Sequence, residues 1–247
     1  FCVIGFLGAG CTKQLTLPTE ESVWKDIGRD VSRFEERLVH DGVAAKIVLF
    51  RLPKQGLEWR FVTTTMSQAK PFSSWQETMN DAMLLMNAGY FHPDGLPSGD
   101  LYVRDSREST RQFDVARSLW VSFSEDGVHL GATRQKTADV AFQTYPWLIK
   151  NGHEAFTEET GQYARRTFVG VDKDGRSYLG FVPVEGVTLR QLTQLLRETP
   201  VRWESVANID GGPSTGYAWI SPVWNERIEP FAPLPFFLAL RAASSGR

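Results

Sequence analysis

The sequence predicts an α+β or mixed α/β fold, in one domain with twisted, largely antiparallel sheets and a few packed helices. Short apolar runs of strand length recur along the chain, and turns rich in glycine, proline and aspartate join most of them. Two segments are predicted to begin helices with a capping box. A chain of 247 residues, 42% of them hydrophobic, is long enough for one sizeable core.

The N-terminal segment predicts export. Residues 1–11 resemble a signal segment, because an apolar stretch too short to cross a bilayer ends in small residues before Cys11. We expect a periplasmic or envelope lipoprotein that touches the membrane only through a lipid on Cys11. An ordinary secretory signal or a buried N-terminal segment is the alternative. Residues 12–22 would form a polar tether and residues 23–247 the folded domain, which would then contain no disulfide.

The charge balance excludes a nucleic-acid partner. The formal net charge is −2, and no run of lysine and arginine provides a basic patch. An anionic ligand would therefore be bound locally, by single arginines and main-chain N–H groups.

The first half of the chain predicts strands and one short helix. The segment 23–38 fits two structures equally well. Val31, Phe34 and Leu38 have helical spacing, but Phe34 and Leu38 flank three charged residues and could also lie on a twisted edge strand. Residues 45–52 and 57–64 are β-rich and flank a proline and glycine turn, which predicts a hairpin. The capping-box spacing of Ser74 and Glu77 predicts a short helix.

The second half predicts more strands and one amphipathic helix. The clearest hairpin joins residues 165–171 to residues 177–182 across an Asp-Lys-Asp-Gly turn. Thr188 and Gln191 form a second capping box, and leucines on one face of the following helix would pack on the sheet. The other predicted strands are 118–124, 128–130, 139–145 and 233–240.

Two buried strands end in a polar side chain followed by a glycine turn. Residues 82–86 lead into Asn87, and residues 206–209 lead into Asp210, so the two strand ends could face one cleft. An aspartate just past a buried strand is partly desolvated, which suits nucleophilic attack, proton transfer or cation binding. The glycines after Asp210 would let a ligand approach the main chain, although Asp-Gly-Gly-Pro is also a common tight turn.

Four segments in order resemble the phosphodiester glycosidase family. They are Asn-Ala-Gly-Tyr-Phe at 87–91, Tyr-Pro-x-Leu-Ile-x-Asn-Gly at 145–152, Arg-Thr-Phe-Val-Gly-Val-Asp at 166–172 and Asn-Ile-Asp-Gly-Gly-Pro-Ser-Thr at 208–215. The resemblance runs from about the first hairpin to the C-terminus. It implies hydrolysis of the glycosidic C–O bond of a sugar-1-phosphodiester, such as one of N-acetylglucosamine.

The chain departs from the family pattern at two places. Pro213 stands where a glycine is often found, which stiffens the turn and removes one main-chain donor. The chain is also compact, without cysteine-rich extensions, so we expect a substrate in a bacterial envelope polymer or exopolysaccharide.

The reaction that the resemblance implies needs a cationic clamp, because phosphate leaves with its charge already stabilised. Arg166 is the expected clamp, since a guanidinium can bind two phosphate oxygens, unless it forms an ion pair with Asp210. Arg165 should face the opposite side of the strand, as a solvated charge. Asp210 is the expected nucleophile or general base, and Asp94 and Glu154 are candidates for a second carboxylate.

The candidate substrate-binding residues lie in or beside the glycine turns. Amide and hydroxyl side chains there can bond sugar or phosphate oxygens, and the Tyr90 ring could stack on a sugar. The set is Asn87, Gly89, Tyr90, Asn151, Gly152, Gly211, Gly212, Ser214 and Thr215.

No cofactor is expected, and two other functions stay open. A metal site formed by His92, Asp94 and Asp210 would suit a metal-dependent phosphodiesterase that breaks the P–O bond. A module on the same scaffold that binds glycan or phosphate polymer without cleaving it is the other alternative.

Overall fold

The computed structural model describes residues 23–65, 67–109 and 118–242. The predicted signal segment and tether, with Cys2 and Cys11, lie outside the described residues. The strands are β1 (Lys25–Asp26), β2 (Ser32–His40), β3 (Val43–Arg51), β4 (Leu57–Thr63), β5 (Leu84–Asn87), β6 (Leu101–Val103), β7 (Ser106–Ser109), β8 (Leu119–Ser124), β9 (Gly127–Gly131), β10 (Val140–Thr144), β11 (Trp147–Lys150), β12 (His153–Glu154), β13 (Ala164–Asp172), β14 (Ser177–Val187), β15 (Trp203–Asn208), β16 (Tyr217–Ile220), β17 (Asn225–Ile228) and β18 (Phe236–Ala242). The helices are α1 (Phe72–Thr78), α2 (Leu189–Leu195) and two 3-10 helices, Leu196–Glu198 and Gly212–Ser214.

The predicted α+β class is wrong, because the fold is mostly antiparallel β-sheet. Strands make up 49% and helices 10% of the structure. Each α-helix has only seven residues, too few to form a layer of its own. The ambiguous segment 23–38 contributes to a strand: β2 pairs with β3 along nine residues, and this pairing overrides the helical spacing of its apolar residues.

The strands form three sheets. The large sheet has the order β1-β2-β3-β14-β13-β15-β11-β12. The second sheet has the order β7-β6-β10-β8-β9, and the third has the order β17-β16-β5-β18-β4. The main hydrophobic core lies where the three sheets meet, with Phe50 of the large sheet against Trp219 of the third and Phe123 contributed by the second. A separate core under α2 covers the other face of the large sheet.

The first predicted hairpin is wrong although both of its strands exist. β3 pairs with β2 and β14 in the large sheet, whereas β4 pairs with β18 in the third sheet. The connection carries the chain from one sheet to another. Its end residues bond to different partners, since Leu52 N–H donates to Ser177 O and Leu57 N–H donates to Glu125 O.

The other local predictions have mixed outcomes. The β13–β14 hairpin is confirmed, and so is the capping box of Thr188 and Gln191 on α2. The capping box predicted for Ser74 is wrong. Helix α1 begins at Phe72, and the main-chain N–H groups of Phe72 and Ser73 donate to the Glu229 carboxylate at 2.8 and 2.9 Å. None of the described helices is long and apolar enough to cross a membrane.

Candidate active site

The candidate site lies at one end of the large sheet, where β15 ends and β13 begins. Asn208 on β15 pairs with Phe168 on β13, and Asp210 follows two residues later. Side chains alternate along a strand, so Arg166 lies on the same face as Phe168, next to Asn208. We call residues 210–215 the glycine turn. The turn and the start of β13 therefore bring the predicted acid and the predicted cation to one edge of the sheet.

The Asp210 carboxyl is held in an environment that favours its protonated form. Burial raises its pKa to about 6, whereas hydrogen bonds from the Ser214 side chain and the Gly211 N–H act in the opposite direction. The Gly211 N–H lies 2.9 Å from Asp210 Oδ1. An acid with this pKa is largely ionised at neutral pH, yet it can take up a proton easily. That combination suits a nucleophile or a general base.

The Arg166 guanidinium is buried and has no carboxylate partner among the described residues. It is 9% exposed, and its Nε and Nη2 donate to Val187 O at 2.9 Å and to Gln162 O at 2.5 Å. Its Nη1 makes no hydrogen bond to the described residues, so donors remain for a ligand. Burial lowers its pKa, but a guanidinium stays charged in proteins. The alternative ion pair with Asp210 is not formed, and the uncompensated cation favours an anionic ligand.

Tyr90 lies within electrostatic reach of both Asp210 and Arg166. Its hydroxyl donates to Tyr145 O at 3.1 Å and accepts a hydrogen bond from Asn208 Nδ2. Burial raises the pKa of Tyr90 strongly, the Asp210 charge raises it further, and the Arg166 charge lowers it. Both charges therefore act on the same phenol. The Tyr90 ring stacks on the ring of Tyr145, with centroids 5.1 Å apart, which gives the site an aromatic wall.

Two of the predicted substrate ligands are buried and support the glycine turn. Asn87 Nδ2 donates to Asp210 O at 2.7 Å, and Asn87 Oδ1 accepts from Thr167 Oγ1 at 2.9 Å and from Gly216 N at 3.3 Å. Thr215 is fully buried, and its hydroxyl lies 3.3 Å from Thr167 Oγ1. Asn87 and Thr215 therefore hold the turn in shape instead of lining an open cleft.

The glycines predicted to bind substrate differ in how much space surrounds their main chain. Gly212 has a φ of +58°, which favours glycine, and the nearest atom to a Cβ placed there is 3.9 Å away, so its outer face is open. Gly211 is packed, since a Cβ would lie 2.9 Å from Arg165 O. Gly89 is packed against the Phe142 ring. Of Gly89, Gly211 and Gly212, Gly212 alone leaves its main chain open to a ligand, and the Ser214 side chain of the same turn is bonded to Asp210.

Several predicted site residues are engaged elsewhere. Asn151 and Gly152 form the turn between β11 and β12, with the Gly152 N–H bonded to Glu204 O. Glu154 forms an ion pair with Arg197 at 2.8 Å, and Asp94 Oδ1 caps its own turn by accepting from Leu96 N at 2.9 Å. Within the described parts of the chain, no three His, Cys, Asp or Glu side chains form a metal-holding group, so His92, Asp94 and Asp210 are not gathered together.

Arg165 has a role that the sequence reading missed. It was expected to be solvated, but it is 6% exposed and donates to five main-chain carbonyls. Three of these, in Gly212, Pro213 and Thr215, belong to the glycine turn, at 3.2, 3.4 and 2.6 Å. Asn208, Tyr145 and Thr167 were also not predicted as site residues, although each lies in one of the four family-like segments.

Replacing Arg165 by Met is expected to lower the free energy of unfolding by about 2 to 3 kcal/mol, because buried carbonyls lose their donors while the side-chain volume is kept. Chemical denaturation measures the change. Arg202→Met is the matched control, since Arg202 is an exposed arginine whose ion pair with Asp174 should contribute little. Equal stabilities of the two variants would contradict this role of Arg165.

A family model described as phosphodiester glycosidase matches residues 80–238. A hypothetical protein from Synechocystis has a similar structure, with a TM-score of 0.63 and 13% identity over 86% of this chain, which spans 62% of that protein. The catalytic domain of zebrafish N-acetylglucosamine-1-phosphodiester alpha-N-acetylglucosaminidase, auto-inhibited by its pro-peptide, matches with a TM-score of 0.62 and 16% identity, over 90% of this chain and 84% of that one. No curated protein sequence matches.

Proposed function

Because the chain belongs to the phosphodiester glycosidase family, we propose that it hydrolyses the glycosidic C–O bond of a sugar-1-phosphodiester, with Asp210 and Arg166 as the reacting pair. The observation that carries this proposal is the buried Arg166 guanidinium, which has no carboxylate partner among the described residues and whose charge acts on the same Tyr90 phenol as the Asp210 charge. A cation in that position is suited to an anionic leaving group. A substrate with a phosphodiester provides one.

The leaving group explains how one carboxylate can suffice. In ordinary glycoside hydrolysis a second carboxyl group protonates the departing oxygen. A phosphodiester leaves as a stable anion, so an arginine that binds two of its oxygens replaces the acid. No carboxylate is among the groups that shift the pKa of Asp210, and Glu154 is bound to Arg197.

The bond changes are simple. The C–O bond breaks with its electron pair going to the phosphate oxygen, which Arg166 binds. Asp210 either attacks the anomeric carbon, to form an ester that water then hydrolyses, or takes the proton from a water that attacks directly. In both cases the sugar gains a hydroxyl from water and the phosphate leaves as a monoester. Retention or inversion at the anomeric carbon distinguishes the two routes.

The substrate class is also a proposal. The zebrafish enzyme is named for an N-acetylglucosamine-1-phosphodiester, and we propose a similar sugar-1-phosphate linkage here. The apolar segment before Cys11 supports an exported protein, so a bacterial envelope polymer or exopolysaccharide is the proposed source of that linkage.

The wild type is expected to release free N-acetylglucosamine from its synthetic α-1-phosphomethyl diester, with and without a chelator. In labelled water the new oxygen should appear in the sugar, because the C–O bond breaks. Mass spectrometry of both products measures this. Label in the phosphate, with activity lost to the chelator, would indicate a metal-dependent phosphodiesterase. A folded wild type that binds the diester without cleaving it would indicate the binding module.

A further inference from the structure

Two main-chain carbonyls from different segments hold the Arg166 guanidinium. Its Nε donates to Val187 O at the end of β14, and its Nη2 donates to Gln162 O, two residues before β13. Val187 is buried and leads directly into α2, whereas residues 157–163 are all exposed. One anchor of the guanidinium therefore lies in the packed part of the fold, and the other lies in a surface loop.

Glu159 ties this loop to the packed anchor. Its Oε2 accepts a hydrogen bond from Thr188 Oγ1 at 3.1 Å. Thr188 is fully buried and follows Val187 directly. It also caps α2, where its hydroxyl oxygen accepts from Gln191 N at 3.2 Å. The bond between Thr188 and Glu159 thus joins the two segments whose carbonyls hold Arg166.

The Glu159 carboxylate also shapes the loop that leads to Gln162. Glu159 Oε1 accepts from Gly161 N at 2.9 Å, and Gly161 has a φ of +66°, which favours glycine. Gln162 N donates to Thr160 Oγ1 at 3.4 Å. These bonds form a turn that ends at the carbonyl bound to Arg166. A surface loop without them would sample many more conformations.

Glu159 acts through hydrogen bonds and not through its charge. Its two partners, the Thr188 hydroxyl and the Gly161 N–H, are uncharged. Burial lowers the pKa of Arg166 and Tyr90 acts in the opposite direction, but Glu159 contributes to neither effect. The contribution of Glu159 is therefore to the position of the loop.

We propose that Glu159 is a positioning residue for the candidate phosphate clamp. This inference rests on the proposed function. By tying the loop to Thr188, Glu159 keeps Gln162 O against Arg166, so that the Nη1 donors are aimed at the phosphate before the substrate binds. An arginine oriented in advance stabilises the charge that develops on the departing phosphate without further ordering. Glu159 itself does not bind the phosphate.

Glu159→Ala is expected to lower kcat/KM for the phosphomethyl diester roughly 5- to 10-fold, mainly through kcat, because the loop anchor of Arg166 is released. Glu159→Gln should retain most of the activity. Its oxygen can accept from Gly161 N, and its amide N–H can donate to the Thr188 hydroxyl. Glu158→Ala is the matched control, since Glu158 is an exposed glutamate of the same loop. Steady-state kinetics measure these effects.

A double-mutant cycle separates positioning from general damage to the loop. In an Arg166→Met background, Glu159→Ala should change kcat/KM less than about twofold, because Glu159 acts only through that guanidinium. A full effect of Glu159→Ala in that background would overturn the proposal. So would an unchanged kcat/KM in Glu159→Ala alone, or an equal loss in Glu158→Ala or in Glu159→Gln.

The proposed function can fail separately from the role of Glu159. If the folded wild type cleaves no sugar-1-phosphodiester, the proposed function fails. Calorimetry with inorganic phosphate then decides on Glu159. Weaker binding by Glu159→Ala than by the wild type and Glu159→Gln supports the positioning role, whereas equal results for the wild type and Glu159→Ala overturn it.

Discussion

Asp210→Asn is expected to lower kcat about 10³-fold or more, because the amide can neither attack the anomeric carbon nor accept a proton from water. KM should change little, since Asn keeps the size of the side chain and can still accept from the Gly211 N–H. Steady-state release of free sugar measures both constants. Asp94→Asn is the matched control and should retain activity, because Asp94 caps an exposed turn. Comparable losses in the two variants would contradict the assignment.

The Asp210 carboxyl is also expected to determine how kcat/KM depends on pH. Asp210 must be ionised to act, so kcat/KM should fall as the pH decreases through about 6, the raised pKa of this group. A midpoint near the ordinary value for aspartate would show that burial does not shift the carboxyl.

Asp210→Asn should also stabilise the fold at neutral pH. The folded state binds the proton more tightly than the unfolded state, whose carboxyl has an ordinary pKa of 3.8 against about 6 when folded. In the wild type, this group therefore contributes its full stabilisation of the folded state below the pKa of the unfolded state. That stabilisation is lost as the pH rises through the pKa of the folded state. The amide avoids this loss, which amounts to at most about 3 kcal/mol. Denaturation at about pH 8 should show the gain, and the gain should vanish at about pH 3, below the pKa of the unfolded state.

Arg166→Met is expected to lower kcat/KM for the phosphodiester about 10²- to 10³-fold, because the departing phosphate loses its buried cation. Arg166→Lys should recover only part of the loss. An ammonium group cannot donate to the carbonyls of Val187 and Gln162 and also bind two phosphate oxygens. Arg190→Met, at an exposed arginine on α2, is the control.

An aryl glycoside of the same sugar provides the sharper comparison for Arg166. Its leaving group does not need a phosphate clamp, so any cleavage of it should be far less sensitive to Arg166→Met. If Arg166→Met slowed the cleavage of both substrates equally, Arg166 would act by holding the main chain at Val187 and Gln162, without binding phosphate.

Local signals predicted the parts of the fold that depend on neighbours in sequence. The turn at Asp172–Gly175 determined the β13–β14 hairpin, and Thr188 determined the start of α2. Strand partners could not be predicted in this way. β5 pairs with β16 and β18, strands that lie far along the chain, and no feature of residues 84–87 indicates those partners. Because the pairings are distant, the division of the strands into three sheets could not be predicted, and the fold class was wrong because the two α-helices have only seven residues each.

The same limit applies to the site. Asp210 and Arg166 were predictable as candidates because each follows or begins a strand in a short motif. The direction of a polar side chain at a strand end was not predictable. Asn87 points into the protein and Asn151 into a separate turn, although both precede small residues. Arg165 looked solvated beside Arg166, but both arginines are buried, Arg165 against carbonyls of the glycine turn and Arg166 against the carbonyls of Val187 and Gln162.

The hydrogen bonds of the Asn87 side chain link the shape of the candidate active site to the order in which the sheets assemble during folding. Its three hydrogen-bond partners lie 80, 123 and 129 residues away along the chain: Thr167 in β13, Asp210 at the start of the glycine turn and Gly216 directly after the turn. Local hairpins such as β13–β14 close short loops, whereas these bonds close long ones and form more slowly. The turn therefore acquires its final shape only when the third sheet docks on the large sheet. During refolding, recovery of activity reports that late docking step, after most of the β-structure has formed.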